Sequence, residues 1–245
     1  MDLELMVLDV GQGLAVVIHT PTATLVYDTG DATPNGFTQF EKVLLPYLRR
    51  RGIEQPTLWV ISHGDRDHAG GLPLLKERFP GAQIIGFGGE PCRAGEWLFA
   101  RDDMTLRVLN GPGDSNDGSC VVKLAYQGVT ALLAGDVSAE RERQLIRYWR
   151  DELRADLLVV GHHGSKTSTG LGFLKWVKPS VALISAGPNN RFGHPHSSVT
   201  ARLEERRTAI HRTDESAAVS VQYRDGELRV QGLRDGTIPY WLRNP

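Results

Sequence analysis

The residues with the most chemistry in this chain lie together in Ser62 to Gly71, SHGDRDHAGG. His63, Asp65, Asp67 and His68 are all side chains that bind divalent cations. The apolar run Leu58 to Ile61 precedes them, and a helix-like stretch, Leu72 to Phe79, follows a Gly-Gly pair. The donors therefore sit on the turn from a buried strand into a helix, where a rigid strand end aims side chains into one space. Alternate residues of an extended segment point the same way, so His63, Asp65 and Asp67 can share a face, with His68 entering where the chain turns. Two of the four are carboxylates and none is a thiolate. That moves the preference from zinc toward manganese or magnesium, with zinc still compatible. A solvated polar turn would explain a lone His-x-Asp. It explains four donors behind an apolar strand less well.

More donors recur just after other apolar runs: Asp28, Asp136, His162 and His163, and His194 and His196. Six of the eight histidines lie in three of these loops. If the strands form one layered sandwich, the loops can open on the same edge. Two divalent ions ~3.5–4 Å apart need roughly six to eight protein ligands and a bridging water, and this set supplies them. Any one of these histidines fits a core or surface role. The set fits a metal centre better. Asp9, beside the Gly11-Gln12-Gly13 turn, reads as a turn cap.

The elements that must position these residues follow from periodicity. Leu3 to Val10, Leu14 to His19 and Ala23 to Tyr27 read as strands, with Thr20-Pro21-Thr22 as a hairpin turn. Phe40 to Arg51 has helical spacing, and its basic end opposes the helix dipole. Gln83 to Ile85 and Met104 to Leu109 read as strands, and Gly86 to Gly95 as a loop. Cys120 to Tyr126 and Thr130 to Ala134 form a hairpin. Ser138 to Trp149 is an amphipathic helix capped by Ser138. Leu157 to Val160 and Val181 to Ser185 are buried strands. Phe173 to Val177 and Ser198 to Thr208 are helices, and Ala217 to Tyr223 and Leu228 to Val230 close the chain as a hairpin. TLVYDTGD at 24–31 and TALLAGD at 130–136 echo one another, each an apolar strand ending in Asp beside Gly, which hints at two related halves. Gly111 to Ser119 is glycine-rich, but no Lys follows as in a P-loop. No linker divides the chain, so residues 1–245 read as one domain, an α/β layered sandwich.

Composition narrows the function. Net charge is −1, which excludes a protein that coats nucleic acid by charge alone. Any nucleic-acid substrate would need local basic patches or metal ions to hold it. The two cysteines, Cys92 and Cys120, form no Cys-x-x-Cys pair, so a thiolate zinc site is excluded. One disulfide or two buried thiols fit equally. No apolar run approaches the ~18–20 residues that span a bilayer. MDLELMVLDV enters a strand with no basic leader, so the expectation is a soluble domain, or a piece of a longer protein.

Several motifs now fall into a known order. SHGDRDHAGG resembles the His-x-His-x-Asp-His signature of the metallo-β-lactamase superfamily, with Asp65 in place of the second His. LLAGD resembles its later Gly-Asp motif, which maps to Asp136, and VVGHHGS supplies a final His, mapped to His162. Together with LDVGQG, YDTGD, SNDGSCVV, HHGSKTS and ISAGPNNRFGHPH, these motifs resemble the soluble lactamase-like domain of the ComEC family of DNA-uptake competence proteins, across nearly the whole chain. The resemblance implies an αββα four-layer sandwich and two divalent ions, manganese first, with zinc or magnesium as alternatives. It implies a DNA phosphodiesterase, exonuclease or endonuclease, that degrades the strand not imported. It also implies a parent in the inner membrane, whose channel portion is a partner of this extracytoplasmic part. Two positions depart from the pattern. A His of the broad superfamily is replaced by the Ser115-Asn116-Asp117 loop, which weakens the ion site on His63 and Asp65. Leu14 follows the GQG turn, where relatives often carry a small polar or acidic residue.

The expected division of labour is then as follows. His63, Asp65 and Asp136 hold one ion, and Asp67, His68, Asp136 and His162 the other. Asp67 and Asp136 also take part in catalysis, with a water between the cations attacking phosphorus. Asp28 holds ligands in place from behind. His163 and His194 grip phosphate or protonate the leaving oxygen, and Ser165, Lys166, Asn116 and Ser119 contact substrate. Two rivals remain: a hydrolase of another ester class on the same fold, and a DNA-binding module of the uptake channel that does no chemistry.

Overall fold

The computed structural model describes residues 3–101 and 103–234. Two seven-stranded sheets face one another. The first runs β14 (Glu227–Gly232), β13 (Val219–Arg224), β1 (Leu3–Val7), β2 (Val16–His19), β3 (Thr24–Tyr27), β4 (Leu58–Ile61), β5 (Ile84–Gly86). The second runs β12 (Ala209–Arg212), β11 (Val181–Ile184), β10 (Leu157–Val159), β9 (Val129–Leu133), β8 (Val121–Tyr126), β7 (Met104–Asn110), β6 (Trp97–Ala100).

Side-chain alternation explains the layering. In β4, Leu58 and Val60 enter the core between the sheets, while Trp59 and Ile61 face the helices outside. Both faces are covered, so the strand is a continuous apolar run. β10 and β11 repeat this: Leu157, Val159, Val181 and Leu183 point inward, and Leu158, Ala182 and Ile184 outward. A π-type turn, Phe40–Leu44, leads into α1 (Leu45–Arg50); with α2 (Arg66–Ala69) and α3 (Leu72–Arg78) it lies on the first sheet. Trp59 and Phe79 pack there with ring centroids 5.3 Å apart. α4 (Ala139–Trp149), α5 (Leu171–Val177) and α6 (Ser197–Glu205) cover the second sheet through Leu145, Phe173, Val177 and Leu203. Each such fully buried large apolar side chain contributes about 1.5–3 kcal/mol. The last short helix is α7 (Thr213–Ser216). The result is the expected αββα sandwich.

The two sheets share a plan. β1-β2-β3 and β7-β8-β9 are antiparallel meanders. Each is extended by parallel strands, β4-β5 in the first sheet and β10-β11-β12 in the second. The TLVYDTGD and TALLAGD echo therefore falls on topologically equivalent strands, β3 and β9. The metal-ligand turn after β4 and the His-His turn after β10 are equivalent as well.

Two strands escaped the sequence reading, β6 and β12. Both are edge strands, and neither has a buried alternating face to announce it. Ala209–Arg212 falls between the expected helix, Ser198 to Thr208, and the closing hairpin, and the helix itself stops at Glu205. Cys92 and Cys120 form a disulfide, which closes the choice between bridge and thiols. Among the described residues no helix is long and apolar enough to cross a membrane.

Candidate metal centre

The loops that follow β3, β4, β9, β10 and β11 meet at one edge of the sandwich. Asp67, His68, Asp136 and His163 each bring one donor atom there, all within 4.8 Å of one another. His68 Nε2 lies 3.1 Å from Asp136 Oδ1 and 3.2 Å from His163 Nε2. His163 Nε2 is 3.2 Å from Asp67 Oδ2. Three of the four residues are buried, and Asp67 is half-buried at the opening.

What stands behind the donors sets their chemistry. Asp28 ends β3 in a left-handed conformation, φ 61°, and is fully buried. Its carboxylate accepts from the Ser62 backbone N–H at 2.6 Å and the Ser62 hydroxyl at 2.8 Å, and it meets His68 Nδ1 at 2.7 Å. His163 Nδ1 donates to the Ser185 carbonyl at 3.0 Å. Each imidazole turns its far nitrogen to an acceptor, so Nε2 is the atom that can offer a lone pair to a cation once it carries no proton, the arrangement of a metal-ligating His. The two carboxylates need positive charge between them, which a proton on His68 or a cation bound by all four residues can supply.

The acid–base behaviour agrees. Burial alone would lower the His68 pKa, but Asp136 and Asp28 outweigh it and hold it well above its ordinary value. Burial alone would raise Asp136, but His68 and His163 hold it far below the carboxylate range. Asp67, pushed up by burial, is brought down to about 2 by its hydrogen bond to His163 and the charges of His68 and His163. The pocket therefore favours anions in its carboxylates and positive charge between them.

A second pair of donors lies alongside. His63 Nε2 is 3.6 Å from Asp65 Oδ2 and has no hydrogen-bond partner although it is buried. His63 Nδ1 meets the Ser62 hydroxyl at 2.9 Å and Ser119 Oγ at 3.3 Å. Its pKa is lowered, first by burial and then by His68, which keeps the ring neutral and able to ligate. An orphaned buried nitrogen beside a carboxylate fits a second cation. The Ser115–Asp117 segment adds no donor there, because the Asp117 carboxylate is engaged by the Ser138 backbone N–H at 2.9 Å.

Several expected residues sit elsewhere or act otherwise. His163, expected to meet substrate, is in the four-donor group. His162, expected as a ligand, stands at its margin, 3.7 Å from Asp136 Oδ2 and partly exposed. Both occupy a tight turn at positive φ, 52° and 53°, and the contact with Ser185 decides which ring turns inward. Ser119, expected to touch substrate, is fully buried. Its Oγ accepts from the Asp136 backbone N–H at 3.0 Å, so it orders the site from behind. Ser165 is also buried and bonds Thr167 Oγ1 at 2.9 Å. Lys166 is exposed on the same turn, and Asn116 is half-buried in the turn Asn116–Gly118. His196 caps α6, accepting from the Ser198 backbone N–H. Asp9 caps its turn through the Gly11 N–H.

Gln12 and Ser62 were not assigned roles from sequence, though both lie inside quoted motifs. Gln12 Oε1 accepts from the Gly187 backbone N–H at 3.2 Å, so its amide nitrogen faces His194 Nδ1 at 3.4 Å. That leaves His194 with its proton on Nε2. The GQG turn also packs directly on the ligand turn. Leu14 N–H donates to the Asp67 carbonyl, and a Cβ at Gly13 would lie 2.6 Å from that oxygen. In front of the donors is a cleft of about 850 Å³, lined by Gln12, Asp31, Asp65, Arg66, Asp67, Asn190, Arg191 and Phe192 among others.

The metallo-β-lactamase superfamily model matches residues 8–86, the stretch from the GQG turn through the ligand turn to β5. Over those residues the chain carries a metallo-β-lactamase superfamily domain. The superfamily fold is seen again in YhfI of Bacillus subtilis, a metallo-β-lactamase fold protein with TM-score 0.59 and 13% identity over 86% of this chain and 96% of that one. Igni18, a metallo hydrolase of Ignicoccus hospitalis, gives TM-score 0.54 and 15% identity over 90% of this chain and 100% of that one. In sequence, this chain is 35% identical to recombination protein 2 of Haemophilus influenzae, over 96% of its length and 31% of the relative's. It is 30% identical to ComE operon protein 3 of Bacillus subtilis, over 91% and 33%. It is 31% identical to competence protein ComA of Neisseria gonorrhoeae, over 97% and 34%. The chain spans about a third of the length of these relatives.

Proposed function

We propose that this chain is a metal-dependent phosphodiesterase that cleaves DNA during its uptake and degrades the strand that is not imported. The observation that carries the reading is the convergence of Asp67, His68, Asp136 and His163, drawn from both halves of the chain, on one point. The names of its relatives, recombination protein 2 and competence protein ComA, support DNA as the substrate. Asp67, His68, Asp136 and His163 hold one divalent ion; His63, Asp65 and Asp136 hold a second, manganese being the first candidate for both. Such ions, when bound, polarise a phosphoryl oxygen and make a water molecule a better nucleophile.

The protein's own groups do the rest. Asp28 and the Ser185 carbonyl fix the tautomers of His68 and His163. Asp67, at the mouth of the site, orients the attacking water. His194, with its proton on Nε2, serves as a hydrogen-bond donor to phosphate. His162 stands on the same side, with ring centroids 5.8 Å apart, and supplies a proton to the leaving oxygen. Lys166 reaches phosphate beyond the first contact.

We read residues 1–245 as one domain of a longer membrane protein, held outside the cytoplasm beside a DNA channel. The Cys92–Cys120 disulfide supports an oxidising compartment. One feature favours a second reading, a DNA-binding module without turnover: the His63–Asp65 side lacks a third donor of its own. Incubation of purified protein with labelled DNA and a panel of divalent ions separates the two. Cleavage in manganese, lost in Asp136→Ala, is expected. Binding without cleavage under every ion would favour the module.

A further inference from the structure

The loop after β11 carries an exposed aromatic ring that the chemistry above does not use. Phe192 is 52% exposed. It lines the cleft that opens on Asp65 and Asp67. Its ring is stacked on His194, 5.6 Å and 25° apart, and His194 is stacked on the ligand His163, 6.5 Å and 23° apart. A column of rings thus leads from the donor group to solvent, and Phe192 is its outer member. On the same loop the Arg191 guanidinium lies over the Phe192 ring, 4.7 Å from its centroid.

The ring is held in place. The Asn190 side chain accepts from Phe192 N–H at 3.2 Å and His194 N–H at 3.0 Å, and donates to the Gly187 carbonyl at 2.9 Å and the His194 carbonyl. An aromatic face fixed this way loses little entropy when a flat partner settles on it. Charge argues the same way. Of the two arginines lining the cleft, Arg66 is engaged by Asp31 at 2.9 Å, whereas among the described residues no carboxylate pairs with Arg191. A cation with no carboxylate partner, lying over an exposed ring at the mouth of a phosphodiester site, matches one repeating unit of a nucleic-acid strand: a base to take the guanidinium's place on the ring and a phosphate for the guanidinium to neutralise.

We propose that Phe192 stacks on an unpaired base of the bound strand while Arg191 contacts an adjacent phosphate, so that the cleft selects single-stranded over double-stranded DNA. This rests on the reading of DNA as the substrate. A duplex keeps its bases stacked on each other and offers Phe192 no free face.

The test is equilibrium binding of a fluorescent single-stranded oligonucleotide and its blunt duplex, in calcium, with strand length checked afterward. Wild-type protein is expected to prefer the single strand. Phe192→Ala is expected to weaken single-strand binding roughly 5- to 150-fold, the loss of one base–aromatic stack, with little change for the duplex. Phe192→Trp is expected to restore it. Arg191→Ala is expected to lower the salt dependence of binding by about one phosphate contact. An oligonucleotide with successive abasic positions should bind wild-type and Phe192→Ala protein alike. Unchanged melting of Phe192→Ala confirms that the fold is intact. Equal binding of single strand by wild type and Phe192→Ala, or an equal loss on normal and abasic strands, overturns the stacking proposal and leaves the nuclease reading standing. Failure of wild type to bind any DNA overturns both.

Discussion

Asp28 meets no substrate, yet its carboxylate carries three contacts that fix the site: two from Ser62 and one with His68. An amide in its place keeps one acceptor and turns an N–H₂ group toward another donor. Asp28→Asn is therefore expected to weaken manganese binding 10- to 100-fold, measured by calorimetry, with little change in the thermal midpoint. Much at this scale was legible in the sequence. His63, Asp65, Asp67, His68 and Asp136 stand out because donors seldom crowd behind apolar strands. The choice between His162 and His163 was not legible. The two are adjacent, both have positive φ, and the deciding contact is a carbonyl on another strand, Ser185. Ser119 and Ser165 misled for a related reason: hydroxyls in a glycine-rich or polar loop look available, but burial spends them on backbone and ligand atoms.

Helix caps link the elements to the site. α4 begins where the Asp136 loop ends, and its buried Glu142 accepts from the Thr169 and Gly170 backbone N–H groups at the start of α5. A carboxylate from one helix thus caps the next and ties down the chain that follows the His-His turn. Burial pushes the Glu142 carboxyl up to about 7, against the pull of those N–H groups, of Arg202 on α6 and of Arg143 on α4. The folded value lies above the ordinary 4.5, so Glu142 contributes stability that is complete below about 4.5 and lost as pH rises through about 7. The loss amounts to about 3 kcal/mol. Urea unfolding at a series of pH values is expected to show Glu142→Gln with a flatter profile than wild type between pH 5 and 8. Because His68 titrates in both proteins, the difference between the two profiles isolates Glu142. Parallel profiles would contradict the assignment. Most elements were readable because buried strands such as LWVI and LLVV announce themselves. The edge strands β6 and β12 did not, since an edge needs only one partner and no apolar face.

Two halves with the same strand order each lend one carboxylate at the end of a central strand and one histidine turn after the next strand. Asp28 and His68 come from the first half, Asp136 and His163 from the second, and they meet where the sheets face each other. Neither half holds the donor set alone. The TLVYDTGD and TALLAGD echo was the visible trace of this plan. Its function was hidden until the parallel pairings β3-β4 and β9-β10 put both turns on one edge. The central claim is that this shared edge binds divalent cations through Asp67, His68, Asp136 and His163. A manganese titration followed by electron paramagnetic resonance tests it most directly. Wild-type protein is expected to bind tightly, Asp136→Ala and His163→Ala to lose the tight site, and His162→Ala to be affected less than His163→Ala. Tight manganese binding that survives in both Asp136→Ala and His163→Ala would contradict the account.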